Sequence, residues 1–403
     1  MLIKKEKKCE NNTTQSYILS VKEYMELNEQ DRRLWSPIKA KYERTPWLAK
    51  ASFLLLAISL IIYIVAEMSP QFADFFNIYI SSVIRFLLAK ITNLFPFSLA
   101  EAIVILIPII AFILLWYLFK FRCESKKSAK VSTLLVLSLA SVFLSTFILS
   151  FGIGYKGTEL DEKLELSREP ISAQELYHTA DYLISQINEL AEKIQFGEDD
   201  FSTMPYSFAQ MNQKLLDAYD SFCDEHDFII NYNSRLKPIM LSEPMSYTHI
   251  TGVYTFFTGE SNINVNFPDY TIPYTAAHEL AHQRGISRED EANMVAFLIC
   301  SSSEDEYVQY CAYLNMYEYV SSALYSANKD LYREVRSKLA PEVYEEQLAY
   351  SAFFKKYSKS VASKVTGTVN DVYLKAQGTV GKKSYGMVVD LTVAYFKQQG
   401  IIQ

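Results

Sequence analysis

Apolar residues fall into four long stretches within the first 155 positions, and the placement of a few charges separates them. The run at 47–68, WLAKASFLLLAISLIIYIVAEM, keeps Lys50 and Glu67 near its ends and is long enough to cross a bilayer as a helix. A second run at 99–119 has the same character, with Pro108 placed to kink it and Trp116 and Tyr117 suited to the lipid–water boundary. A third covers 131–155. The stretch at 72–97, FADFFNIYISSVIRFLLAKITNLFPF, is also apolar, but Arg85 and Lys90 interrupt it. Topology decides how to read it. With three spans and the N-terminal tail inside, the short loop at 120–130, which carries five Lys/Arg, is cytoplasmic, as the positive-inside tendency favours. A fourth span would push that loop outside. The stretch 72–97 is therefore expected to lie in the outer interface or to pack on the bundle, with everything beyond 155 outside the cytoplasm.

Beyond the third run the period changes. Segments 172–197 and 206–227, the latter just after Pro205, place apolar residues at helical spacing. Segments 237–243 and 252–267 change character: VYTFFTGESNINVNF is rich in β-branched and aromatic residues, with Gly259 in a turn position and alternation in INVNF, which predicts a hairpin. Pro268 and Pro273 bracket a short link into two helices joined by a tight turn at 271–300. The chain after Cys300 reads as helix crowded with tyrosines, which are expected to pack. The fold class expected is a membrane protein: three transmembrane helices, then a mainly α (α+β) extracytoplasmic domain with a small hairpin before the second pair of helices. Its divisions are a cytoplasmic tail at 1–46, a membrane region at 47–155 and the globular domain at 156–403.

Composition supports that division: 403 residues, half of them hydrophobic, supply a membrane region and one domain of about 250 residues. The net charge of -7 argues against a nucleic-acid partner. Residues 1–44 hold ten Lys/Arg against seven Asp/Glu, a solvated tail, and no apolar core of a cleavable signal follows in the first thirty positions. Of five cysteines, Cys9 and Cys123 fall on the cytoplasmic side, leaving Cys223, Cys300 and Cys311 as an odd set that is expected to be buried free thiols.

The chemistry concentrates in TIPYTAAHELAHQRGISREDEANMVAFLIC. His278 and His282, four apart, share one helix face about one turn (roughly 6 Å) apart, so two imidazole nitrogens can converge on one Zn2+. Glu279 beside them is placed to take a proton from water that the metal has acidified. Gly285 can stop the first helix and Ser287 can cap the next, whose first turn offers Glu289, Asp290 and Glu291 for the third ligand. HExxHxxG spacing is also that of the metzincins, but Arg288 stands where their third histidine would be. In GKKSYGMVVD, Tyr385 on an expected loop could donate to the oxyanion formed when a carbonyl is attacked. His178, His226 and His249 are expected to be solvated or structural.

Glu289, Ala292 and Asn293 resemble the ExxA(D/N) pattern of the gluzincin second helix. That resemblance implies Glu289 as the metal ligand, with Glu291 the alternative, and Asn293 as the residue that supports the ligand. The small Ala292 and Ala296 would let this helix approach the first. It also implies that the strand before the zinc helix pairs with an extended substrate. GVYTFFTGESNINVNFPDYTIPYTAAHELAHQRG and VNDVYLKAQGTVGKKSYGMVVDLTVAYF resemble the bacterial membrane family called domain of unknown function 3810, in which a few membrane helices precede a gluzincin-like domain. The implied protein is a multi-pass cell-membrane zinc metallopeptidase acting on a peptide or protein substrate such as one of the cell envelope. Two alternatives stand beside it: a peptidase-fold sensor that signals through its tail, and an idle zinc domain that binds envelope material. Retention of Glu279 counts against the second, since a structural zinc needs no base.

Overall fold

The computed structural model describes residues 3–8, 14–19, 47–124, 126–358, 360–379 and 387–402. Two compact units result. One comprises Met1–Ala57 with Ile109–Val142, the other Ile58–Pro108 with Phe143–Gln403. In the first, β1 (Ile3–Lys8) and β2 (Thr14–Leu19) pair antiparallel, Ile3 opposite Leu19.

Among the described residues, four helices are long and apolar enough to cross a membrane: α1 (Trp47–Met68), α2 (Pro70–Thr92), α3 (Leu99–Glu124) and α4 (Lys126–Ser150). The segment expected as a loop at 120–130 is helical on both sides of residue 125, since Lys, Arg and Glu are good helix formers. The third apolar run ends its α-helix at Ser150 rather than continuing to 155. There the chain tightens into a 3-10 turn at Gly152–Lys156, where a Cβ on Gly154 would come within 2.2 Å of Ser287 Oγ.

The ambiguous stretch forms α2, a helix with a π-turn at Asn77–Ser81. Both of its ends bond to chain that follows α4. Near its start Asp74 accepts from the Thr158 N–H at 3.2 Å and pairs with Lys163 at 3.0 Å; at its end the Thr92 and Phe95 carbonyls accept from buried Lys237 Nζ. Glu260 in turn accepts the first N–H groups of α3, from Leu99 at 3.1 Å and Ala100 at 2.8 Å, and so satisfies donors that a helix start leaves free.

The globular part is mainly helical. Capping boxes, Ser172 with Glu175 and Ser207 with Gln210, start α5 (Ala173–Ala191) and α6 (Phe208–Glu225) two or so residues inside the expected ranges. A three-stranded sheet runs β3 (Lys237–Pro238), β5 (Glu260–Ile263), β4 (Gly252–Thr255), with β3 parallel and β4 antiparallel to the central β5. Then follow α7 (Ile272–Gln283), α8 (Glu289–Ser301), α9 (Glu306–Ala327), α10 (Lys329–Arg336), α11 (Pro341–Lys355), α12 (Val361–Ala376) and α13 (Val388–Gln398). Helix α8 is buried nearly along its whole length and shares one core with α5, α6, α7, α9 and α13. Both motif helices are buried all round, so their polar side chains, Glu279 and His282 on α7 and Glu289 and Asn293 on α8 among them, lie inside the protein rather than on a solvated face.

Candidate metal centre

Helix α7 holds its register through tyrosines, two buried and one half-buried. Tyr219 donates to the Ala277 carbonyl at 2.7 Å, Tyr232 to that of Gln283 at 2.7 Å, and Tyr274 reaches from α7 to the Asn293 carbonyl of α8 at 2.9 Å. Gly285, at φ +102°, stops the helix, and the Ile286 N–H returns to the Ala281 carbonyl at 3.0 Å. Ser287 does not cap α8: Arg288 occupies the cap position, and the Ser287 hydroxyl donates to the Phe151 carbonyl at 3.0 Å. The serine was needed at the end of α4, a partner 136 positions away that local helix-start rules cannot register.

This turn brings α8 back against α7. His278 Nε2 lies 3.2 Å and His282 Nε2 3.4 Å from Glu289 Oε2, and one ligand atom from each of the three residues fits within a 4.8 Å spread. Ligands about 2.05 Å from a tetrahedral zinc sit roughly 3.3 Å apart, so the two measured separations suit such an ion. His282 Nδ1 is 2.7 Å from the Ile286 carbonyl, which can only accept, so Nδ1 keeps a proton and Nε2 is the nitrogen that would face a metal once it gives up its own. Two nitrogens and one carboxylate oxygen form a donor set of the zinc type. The three side chains keep 12%, 8% and 11% of their surface exposed, so the centre is nearly but not fully closed to solvent. Burial opposes charge on both His282 and Glu289, but each sustains the other: Glu289 is held well below the usual carboxylate range and His282 is raised to about 9.

Glu291 points elsewhere. Its Oε1 accepts from the Leu160 N–H at 3.0 Å and from Arg288 at 2.8 Å, so it ties α8 to the chain leaving the membrane region. Glu279 is buried beside the pair; its carboxylate accepts the Tyr254 N–H of β4, while Oε2 has no hydrogen-bond partner among the described residues. Burial raises its pKa above the usual carboxylate value, against the pull of the two histidines. Asn293 presents a buried side-chain amide to the Tyr319 phenol. Tyr385 lies outside the described residues.

The family model described as "Protein of unknown function (DUF3810)" matches residues 75–393. The chain belongs to that family. The match takes in α2, the sheet and both motif helices of this DUF3810 protein, and begins after α1. No curated protein and no solved structure matches it.

Several residues at the centre of this DUF3810 protein escaped sequence reasoning. Arg85, one of the two charges that interrupted α2, is fully buried: Nη1 bonds Asn77 Oδ1 and the Ser150 carbonyl, each at 2.8 Å, and Nη2 reaches the Arg284 carbonyl at 3.4 Å. Asn77 donates to the Gly285 carbonyl at 2.9 Å. The π-turn of α2 thus serves the open carbonyls at the end of α7. Tyr155 and Tyr373 place their hydroxyls 3.2 Å apart; burial, with help from the charge of Glu289, pushes Tyr373 up to about 12. The signal for Arg85 was present, since a charge in an apolar helix needs a partner, but the partners were carbonyls. Of the other histidines, His178 is exposed, His226 stacks on Phe222, and His249 bonds the Tyr357 carbonyl at 2.8 Å. Cys223, Cys300 and Cys311 are free thiols. A cavity of about 520 Å³ near Lys163, Phe222 and Tyr395 shares no residue with the centre.

Proposed function

We infer that this is a membrane-anchored zinc metallopeptidase of gluzincin type that hydrolyses a peptide or related amide bond. The observation that carries the reading is the convergence of His278, His282 and Glu289 with Glu279 held next to them. His278, His282 and Glu289 would hold the ion. When bound, zinc supplies Lewis acidity, which polarises a carbonyl and acidifies water. Glu279, whose raised pKa moves it towards neutral pH, accepts the proton at its unpartnered Oε2 and returns it to the leaving nitrogen. Ile286 orients His282 through its carbonyl. Tyr373, kept protonated at neutral pH, supplies an O–H within electrostatic reach of Glu289 that can donate to the developing oxyanion. Among the described residues β4 has no strand on its outer side, and that edge would offer backbone groups to an extended substrate.

The topology proposed has three spans, α1, α3 and α4, with α2 lying along the domain and the domain outside the cytoplasm. The bonds at both ends of α2 support this, because both ends meet chain that follows α4. Purified protein should hold one zinc per chain and lose it in a His278→Ala, His282→Ala variant; zinc undiminished there would place the metal elsewhere. Comparing envelope proteins from cells carrying wild type and Glu279→Gln then tests hydrolysis: a substrate should accumulate uncut in the variant, and identical profiles would argue for the sensor or idle-domain reading.

A further inference from the structure

Helix α12 has an outward face that no described residue covers. Val361, Val365, Val369 and Val372 are 76%, 59%, 64% and 63% exposed. At roughly 100° per residue these four fall within about 80° of one another, so they form one stripe rather than a scatter. Lys364 and Lys375 are exposed along one flank of the stripe, Lys375 with Asp371 beside it at 2.7 Å. Tyr373 lies on the other flank, and Leu374 faces inward, fully buried. Aliphatic stripes edged by lysines are the pattern of helices that lie in a bilayer interface, where the lysine stems follow the apolar surface and the ammonium groups reach the headgroups.

The neighbours of α12 say what lies against it. Tyr373 packs edge-on to Phe147, which belongs to the last turn of the apolar helix α4, at 6.0 Å between ring centres. Lys156, in the turn that leaves α4, donates to the Gln377 carbonyl at the end of α12 at 3.4 Å and pairs with Glu67 at the end of α1 at 2.6 Å. The turn between β4 and β5 joins the same group, with Phe256 against Phe143 and Phe147 at 5.0 and 5.1 Å. An aromatic series then leads from this level to the metal centre, since Phe147 touches Phe151 and Phe151 packs on His282.

We propose that α12 is an interfacial helix whose valine stripe rests in the phospholipid surface from which α1 and α4 emerge, so that the metal centre sits at the membrane surface. A second copy of the chain is the competing occupant. The test uses full-length protein in vesicles of phosphatidylethanolamine and phosphatidylglycerol, with an environment-sensitive fluorophore on Val365→Cys or Val372→Cys and, as the aqueous reference, on exposed Arg333→Cys. Lipids bearing a doxyl group high on the acyl chain should quench both valine positions at least twofold and leave the Arg333 position unchanged. A label at both valine positions that reports water and no quenching overturns the proposal. So does a label shielded without quenching in protein that crosslinks as a dimer. Two valine positions guard against one variant failing to fold, and the readout is independent of hydrolysis.

Discussion

At Gly252 one methyl group decides whether Glu279 can stay where it is. A Cβ there would come within 2.7 Å of the Glu279 Cγ and Oε1 and 2.8 Å of Thr275 Cγ2. Gly252→Ala should therefore leave zinc content near wild type while lowering turnover at least tenfold, as measured by elemental analysis beside a peptide-hydrolysis assay, because the proposed base moves and the proposed ligands do not. The two acids of α8 separate in the opposite way. Glu289→Ala should abolish metal retention; Glu291→Ala should keep the metal and lower the melting temperature, since it leaves the Leu160 N–H and Arg288 without their acceptor, a loss of about 1–3 kcal/mol. Retained zinc in the first variant and lost zinc in the second would shift the ligand by two residues. Glu318, half-buried under Tyr270, offers a pH test away from the centre. Burial, with the charge of Glu346, pushes it up to about 7 against the Tyr270 hydrogen bond. Its folded pKa exceeds its unfolded one, so its contribution to stability is complete below about 4.5 and is lost as pH rises through 7. Glu318→Gln should thus melt a few degrees above wild type at pH 8 and not at pH 4.5, a difference on the order of 2 kcal/mol. At this scale the histidine pair and Glu279 were legible because four-residue spacing is local geometry. Glu291 and Ser287 were not, because their partners, Leu160 and Phe151, lie more than a hundred positions away.

Among the elements, α2 shows best what hydropathy can and cannot resolve. Its length and apolarity match a span, and only the meaning of Arg85 separates that reading from a helix bound along the domain. Arg85 bonds carbonyls contributed by α2 itself, by the end of α4 and by the end of α7. Arg85→Met should leave those carbonyls and Asn77 short of donors and cost about 2–4 kcal/mol, seen as a lower melting temperature in detergent together with weaker zinc retention. Arg85→Lys should recover only part of this, since an ammonium cannot fork across separate acceptors. A melting curve for Arg85→Met that overlays wild type would show that α2 does not support α7. The amphipathic helices α5 and α6 were readable from their helical period, and the hairpin from alternation and its turn glycine. The sheet order was not, because the parallel β3 joins β5 through chain contacts that no local alternation reports.

For the whole molecule, the expected outcome of labelling is direct: a cysteine introduced near Gln403 should react with an impermeant maleimide in intact cells, and reaction only after lysis would reverse the compartment. The positive-inside argument needed nothing beyond the order of charges along the chain. What that order could not show is that the helix bearing His278 and His282 ends on groups supplied by Asn77 and Arg85, while Glu260 and Lys237 complete the ends of α3 and α2. These bonds carry a consequence for biogenesis. A fragment beginning after Ser150 would lack the donors that finish α7, so it should be made as an aggregating, metal-poor chain rather than as a soluble domain. In the cell the centre would then mature only after α1, α3 and α4 have been inserted and α2 has docked on the domain, so the proposed activity would be coupled to membrane assembly.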